Sequence, residues 1–273
     1  MWAAGDAALV QALGDLTALT ALNLTSCDID IDGAEALAPA LSRLSQLADL
    51  CLPHNRVGPA GAAALAKPLA ALTTLMVLDL KDCDVGAAGM VSLAPALSHL
   101  SRLVHLDLAQ NRIGAAGAVA LARPLCSFTA LTALLFSHSK IGAAGAEALA
   151  PALRRLTRLA RLDLTHNDVG AAGAAALAQP LAGLTALSAL YLSLNNVNAA
   201  GAEVLAPALR RLSRLEEAHL AHNALSDDGL AHLVPALACL PMLCVITLLE
   251  GNGLSEAAVA LARGQSGPRL AWK

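Results

Sequence analysis

A strict internal period constrains this chain more than any other feature. The segment 103–130 reads LVHLDLAQNRIGAAGAVALARPLCSFTA. Leu103, Leu106, Leu108, Asn111 and Ile113 set the spacing L-x-x-L-x-L-x-x-N-x-I. Leu106 and Leu108 alternate as in a short strand buried on one face. Gly114 and Gly117 punctuate the chain, and Leu121, Leu125 and Phe128 then return at helical steps of four and three. One unit is therefore strand, turn, helix, and it cannot bury its apolar face without a copy on each side. Leucines open successive units at Leu19, Leu47, Leu75, Leu103, Leu131, Leu159, Leu187 and Leu215, every interval being 28 residues.

The period divides the chain into one continuous array over residues 1–273. Residues 1–18 match the helical half of a unit, so the sequence starts in mid-repeat, which favours a missing upstream segment over a cap. Eight full repeats fill 19–242, and 243–273 form a ninth, degenerate repeat and a tail. In that last repeat Leu243, Ile246 and Leu248 keep the strand spacing, but Asn252 and Leu254 arrive one residue late. Ser255 is placed to cap a last helix running to about Arg263, and the polar tail GQSGPRLAWK closes the array with Arg269, Trp272 and Lys273. Nine strands are expected, with starts near Leu22, Leu50, Leu78, Leu106, Leu134, Leu162, Leu190, Ala218 and Ile246.

Aromatic residues make up 2% of the chain, so Leu and Ala must fill the core. A net charge of −3 argues against nucleic acid or an anionic membrane as partner. Residues 169–202 carry no charged side chain, yet Pro180, Asn195, Asn196 and Asn198 interrupt them in step with the repeat, so no membrane span is expected. The first residues lack a basic leader and Asp6 falls early, so no signal peptide is expected. The six cysteines include no C-x-x-C pair. Cys27 and Cys83 lie two repeats apart, roughly 10 Å at the strand spacing, too far for a disulfide. They are expected as small buried residues at the turn, and all six as thiols in a reducing, cytoplasmic setting.

These residues resemble the leucine-rich repeat family, in its long-repeat, ribonuclease-inhibitor-like subclass. The 28-residue period and a pairwise alternation carry that subclass. Cys27, Asn55, Cys83 and Asn111 occupy one position in turn, and the alternation relaxes to Ser139, Asn167, Asn195 and Asn223. Proline alternates as well: Pro39, Pro95, Pro151 and Pro207 come one position earlier than Pro68, Pro124 and Pro180. The resemblance implies an α/β solenoid, a horseshoe with parallel strands on its concave face and helices on its convex face. It implies a binding role without specifying the partner.

The curvature also follows from spacing, since strands stack at about 4.8 Å and helices at about 9–10 Å. The asparagines are expected to form a ladder that pairs buried backbone groups. With the strand leucines turned inward, the residues between them face the hollow. One row there reads Asn23, Cys51, Asp79, Asp107, Leu135, Asp163, Tyr191, His219 and Thr247. The row two residues earlier holds Asp49, His105, Arg161 and Glu217 among apolar residues. These sites vary while the framework repeats, so the candidate partner-binding residues are Asp49, Asp79, His105, Asp107, Arg161, Asp163, Tyr191, Glu217 and His219. Their acidic excess fits a basic protein partner bound by a monomeric chain.

Other chemistry is weaker. Asp79 and Asp107 sit side by side, but a sheet face offers no water-excluding cleft for acid–base catalysis. His138, His166 and Asp168 invite a metal, but His54 and His222 repeat the same place, which reads as a turn preference. Arg154, Arg155, Arg158, Arg210, Arg211 and Arg214, with Arg43, His99 and Arg102, form a basic stripe at helix C-termini, where cations are stabilised. No phosphate loop, nucleophile elbow or dinucleotide fingerprint is present, and no cofactor, metal or catalytic residue is expected. The leading expectation is a non-catalytic protein-interaction module. The alternatives are a small-GTPase regulator resembling leucine-rich GTPase-activating proteins, and a structural array without a specific partner.

Overall fold

The computed structural model describes residues 6–266 and 271–272. Strands and helices alternate along the described chain. The strands are β1 (Ala21–Asn23), β2 (Asp49–Cys51), β3 (Val77–Asp79), β4 (His105–Asp107), β5 (Ala133–Leu135), β6 (Arg161–Asp163), β7 (Ala189–Tyr191), β8 (Glu217–His219), β9 (Val245–Thr247) and β10 (Ala271–Trp272). The helices are α1 (Asp6–Asp15), α2 (Ile31–Leu41), α3 (Gly58–Ala71), α4 (Gly86–Leu97), α5 (Gly114–Leu125), α6 (Gly142–Leu153), α7 (Gly170–Gly183), α8 (Asn198–Leu209), α9 (Ser226–Ala238) and α10 (Glu256–Ser266). The strands form one parallel sheet in chain order, and each helix packs on the next, giving a two-layer solenoid. With strands on the closely spaced layer, that layer is concave.

The strand register follows the sequence period. Leu78 pairs with Leu106, Leu106 with Leu134 and Leu134 with Leu162, each pair 28 residues apart. Strands β1 to β9 are three residues long, and in most only the middle side chain is fully buried. That leucine enters a core shared with leucines of the turn and the helix. In the fourth repeat Leu103, Leu106, Leu108, Ile113, Leu121, Leu125 and Phe128 are all 0% exposed. Each such side chain contributes roughly 1.5–3 kcal/mol of burial.

The asparagine ladder is present. Asn111 Oδ1 accepts the N–H groups of Cys83 and Val85 in the repeat before, both at 3.1 Å. Its Nδ2 donates to the carbonyls of Leu80 (2.6 Å) and Ala109 (3.1 Å). Asn55, Asn167, Asn195 and Asn223 make equivalent bonds. Where the position holds Cys83 or Ser139, the shorter side chain still donates one repeat back, to Leu52 O and Leu108 O. Asn252 continues the ladder 29 residues after Asn223, accepting that residue's N–H at 2.7 Å, so the one-residue slip is absorbed in the loop.

Two glycine positions have different causes. Gly142 enters its helix at φ 67° with open space around it, so backbone conformation selects glycine there. Gly145 has no such φ; a Cβ on it would lie 2.6 Å from Ile141 Cγ2 and 3.1 Å from the Ala118 Cβ of the neighbouring helix. Close helix–helix approach, more than a tight turn, selects that glycine.

Three expectations need correction. The C-terminal tail is more than a polar closure: Ala271–Trp272 pairs parallel with β9 as a tenth strand. Arg269 and Lys273 lie outside the described residues. The last helix keeps its Ser255 cap, with Ala258 N donating to Ser255 Oγ at 3.2 Å, but runs to Ser266 rather than Arg263. Cys27 is exposed while Cys83 is buried: the Cys83 thiol donates to Leu52 O in the repeat before it at 3.0 Å, whereas the Cys27 thiol meets Thr25 O of its own turn at 3.5 Å. No described helix is long and apolar enough to cross a membrane.

Candidate functional site

The three-residue strands put the first and last side chain of each on the concave face, and the parallel register aligns them into two rows. In one row Asp79, Asp107, Leu135, Asp163, Tyr191 and His219 are successive Cα partners. In the other, His105, Ala133, Arg161, Ala189 and Glu217 follow one another. All nine candidate residues therefore share one face. They fall into two groups, divided by Ala133 and Leu135 of β5.

The N-terminal group holds Asp49, Asp79, His105 and Asp107. Asp79 and Asp107 here, and Asp163 in the C-terminal group, have a structural duty that the sequence reading missed. Asp79 Oδ1 accepts the N–H of Lys81 at 2.9 Å, Asp107 Oδ1 that of Ala109 at 2.9 Å, and Asp163 Oδ1 that of Thr165 at 2.8 Å. Asn23 does the same for Thr25 at 3.0 Å. Each closes the turn two residues on, a bond that short Asp and Asn side chains make readily. The signal was legible as Asp or Asn at the last strand position of four repeats. Asp107 also departs from the expectation that these side chains point out of the core, being only 8% exposed. Burial pushes its carboxyl pKa up; the Ala109 N–H works against this and neighbouring Asp79 adds to it. Burial, and then the carboxylates of Asp79 and Asp49, likewise push up the Cys51 thiol.

The C-terminal group is a connected cluster. The rings of Tyr191 and His219 stack with centroids 4.6 Å apart and planes 8° from parallel. That separation matches the spacing of neighbouring strands, about 4.8 Å, so the register itself stacks the rings. Tyr191 Oη donates to Glu217 Oε2 at 2.7 Å. His219 Nε2 lies 3.6 Å from the same carboxylate, and its Nδ1 lies 3.0 Å from Thr247 Oγ1. Burial and then the Glu217 hydrogen bond raise the Tyr191 pKa, while the Tyr191 hydroxyl holds the Glu217 carboxyl below its usual range. Arg161 is exposed at the rim of this cluster.

The remaining sequence candidates have local partners. His54 Nδ1 meets Asp82 at 3.0 Å across one repeat, and Asp168 accepts from Asn196 Nδ2 at 2.8 Å. Among the described residues, no group of three or more His, Cys, Asp or Glu converges as metal ligands would. In the basic stripe, Arg43 pairs with Asp15 at 3.0 Å and Arg154 bonds Gln179. Arg154 and Arg210 are the C-caps of α6 and α8, where a cation meets the negative helix end.

The leucine-rich repeat family model matches residues 16–38, 71–94, 99–122, 129–150, 157–178 and 184–206, together just over half of the chain. No curated protein matches it in sequence. Among solved structures, the Rad7 and Elc1 complex of yeast is similar in fold, with a TM-score of 0.53 at 14% identity over 96% of this chain and 77% of that one. An internalin of Listeria monocytogenes aligns over 98% of this chain and 94% of that one at 16% identity, with a TM-score of 0.40. With the period, the asparagine ladder and the two-layer solenoid, the family-model match over half of its length establishes that the chain belongs to the leucine-rich repeat family.

Proposed function

We propose that this chain is a non-catalytic protein-interaction module that binds its partner across the concave strand face. The Tyr191–His219 stack carries this reading. Its rings are held by the strand register, and the Tyr191 hydroxyl is fixed on Glu217, so the cluster is ordered before a partner arrives. Preorganisation of this kind reduces the entropy lost on binding, and tyrosine is a frequent interface anchor. Asp49, Asp79 and Asp163 add negative charge along the same face, which suits a basic protein. The Rad7 structure of similar fold is of a complex with Elc1, in keeping with an interaction role.

The 28-residue period and the Cys/Asn alternation support placing the chain in the ribonuclease-inhibitor-like subclass. We place the chain in a reducing, cytoplasmic setting, a reading in keeping with six cysteines that are not bridged to one another. The test is a pull-down from the source cell with the parent chain and with Tyr191→Ala. A protein retained by the parent and lost from the variant, with both equally folded by circular dichroism, supports the concave face. Equal retention by both contradicts it.

A further inference from the structure

The turns that follow the strands form a separate edge, away from the concave face. Along it, equivalent positions of neighbouring repeats engage each other. Arg56 reaches back to Asp28 at 3.1 Å, and Asn196 to Asp168 at 2.8 Å. Between these pairs the pattern breaks at Arg112 and Lys140. They occupy the same position in adjacent repeats, both exposed, and no carboxylate among the described residues lies within ion-pair distance of either. Beside them the imidazoles of His138 and His166 stack at 4.4 Å with planes 28° apart. These four side chains line an open depression of 450 Å³. Gln110, Asp82 and Asp84 line it too; Asp82 is engaged by His54, and Asp84 holds the position one repeat before Arg112.

Arg112 and Lys140 are adjacent cations that repel; Asp84 precedes them and Asp168 follows them in the same row, but neither carboxylate forms an ion pair with either. An anion seated between the two cations relieves that repulsion. A phosphate monoester carries a charge near −2 and three strong acceptor oxygens, enough for the Arg112 fork, the Lys140 ammonium and an imidazole N–H together. The depression is open to solvent, which suits a group presented on a larger body more than a free ion that must be enclosed. We propose that this turn edge is a docking site for a phosphorylated serine side chain of a partner protein. It is independent of the concave-face reading.

The test uses the full chain and N-acetyl-phosphoserine N-methylamide as probe, followed by NMR of the imidazole Cε1–H signals. The chain has eight histidines. The His138 and His166 signals should move together while those of His222 and His232 stay. Binding should be at least about tenfold tighter than for the unphosphorylated serine probe or for inorganic phosphate. Arg112→Asn with Lys140→Asn should weaken it at least about tenfold; Asn tolerates the positive φ of both sites, so the fold is retained. Tyr191→Ala should leave it unchanged. Shifts reproduced by sodium chloride at matched ionic strength, or surviving the double substitution, would overturn the site. Inorganic phosphate binding as tightly as the probe would overturn the protein-borne source.

Discussion

The side-chain oxygen of Asn195 accepts the backbone N–H of Asn167 at 3.1 Å, one full repeat back. Asn167 in turn accepts from Ser139 and Ile141, both at 3.2 Å, and donates to Phe136 O at 2.7 Å. The ladder therefore couples neighbouring repeats through buried polar groups. Asn167→Leu strands those groups, and the loss should be about 1–3 kcal/mol or more. Urea unfolding followed by circular dichroism measures it; a midpoint equal to that of the parent would reject the ladder.

Gly142 and Gly145 separate backbone strain from steric contact. Gly145→Ala puts a methyl against Ile141 and Ala118, and overpacking of this kind costs about 1–3 kcal/mol. Gly142→Ala meets no atom but must hold φ 67°, at a cost of roughly 1–2 kcal/mol. Gly142→Asn should recover part of that loss and Gly145→Asn should recover none. Thermal midpoints of the four variants decide this.

Asp107 should be a site where neutral pH works against folding. Burial raises its folded pKa, so the stability it contributes is full below the unfolded aspartate value, about 3.9, and is lost as pH rises through the folded value. Asp107→Asn removes the buried charge and keeps an oxygen to accept from Ala109. The variant should melt a few degrees above the parent at pH 7, an advantage that vanishes near pH 3. A lower midpoint at pH 7 would mean that the carboxylate itself is needed.

The thiols should react in order of exposure and thiolate character. Burial pushes the Cys83 pKa up to about 12, whereas Cys27, Cys239 and Cys244 are exposed. Iodoacetamide at pH 8 should label those three first, Cys51 and Cys126 more slowly, and Cys83 only on unfolding. Peptide mapping over time tests the order, and fewer than six labelled thiols after denaturation without reductant would reveal a disulfide.

The fold was legible because its signal is repeated. Leu106 in one repeat is ambiguous between strand and helix, but its recurrence as Leu78, Leu134 and Leu162 fixes strand, register and facing together. The asparagine ladder was legible for the same reason. Features that occur once or depend on a neighbour were not. The tenth strand rests on Ala271–Trp272, too short to carry any period, and is defined only by its pairing with β9. The face of the candidate site was legible by alternation alone. The stack of Tyr191 on His219 needed the register and the side-chain conformations in space, and the burial of Asp107 depends on which side chains surround it. The edge formed by Arg112, Lys140, His138 and His166 was hidden because the histidines were read as a turn preference and Arg112 and Lys140 carry no signal until the register sets them beside those rings.

Association and dissociation rates of the captured partner, on immobilised parent and variants, test the concave-face assignment most directly. Tyr191→Ala should chiefly speed dissociation, by about 30-fold if it removes an anchor worth about 2 kcal/mol. Replacing Asp49, Asp79 and Asp163 with Asn should mainly slow association and flatten its dependence on salt, while the turn bonds to Lys81 and Thr165 remain. If both variants bind with the parent's kinetics, and reversing Arg155 and Arg211 to Glu abolishes binding instead, the site lies on the basic stripe and not on the concave face.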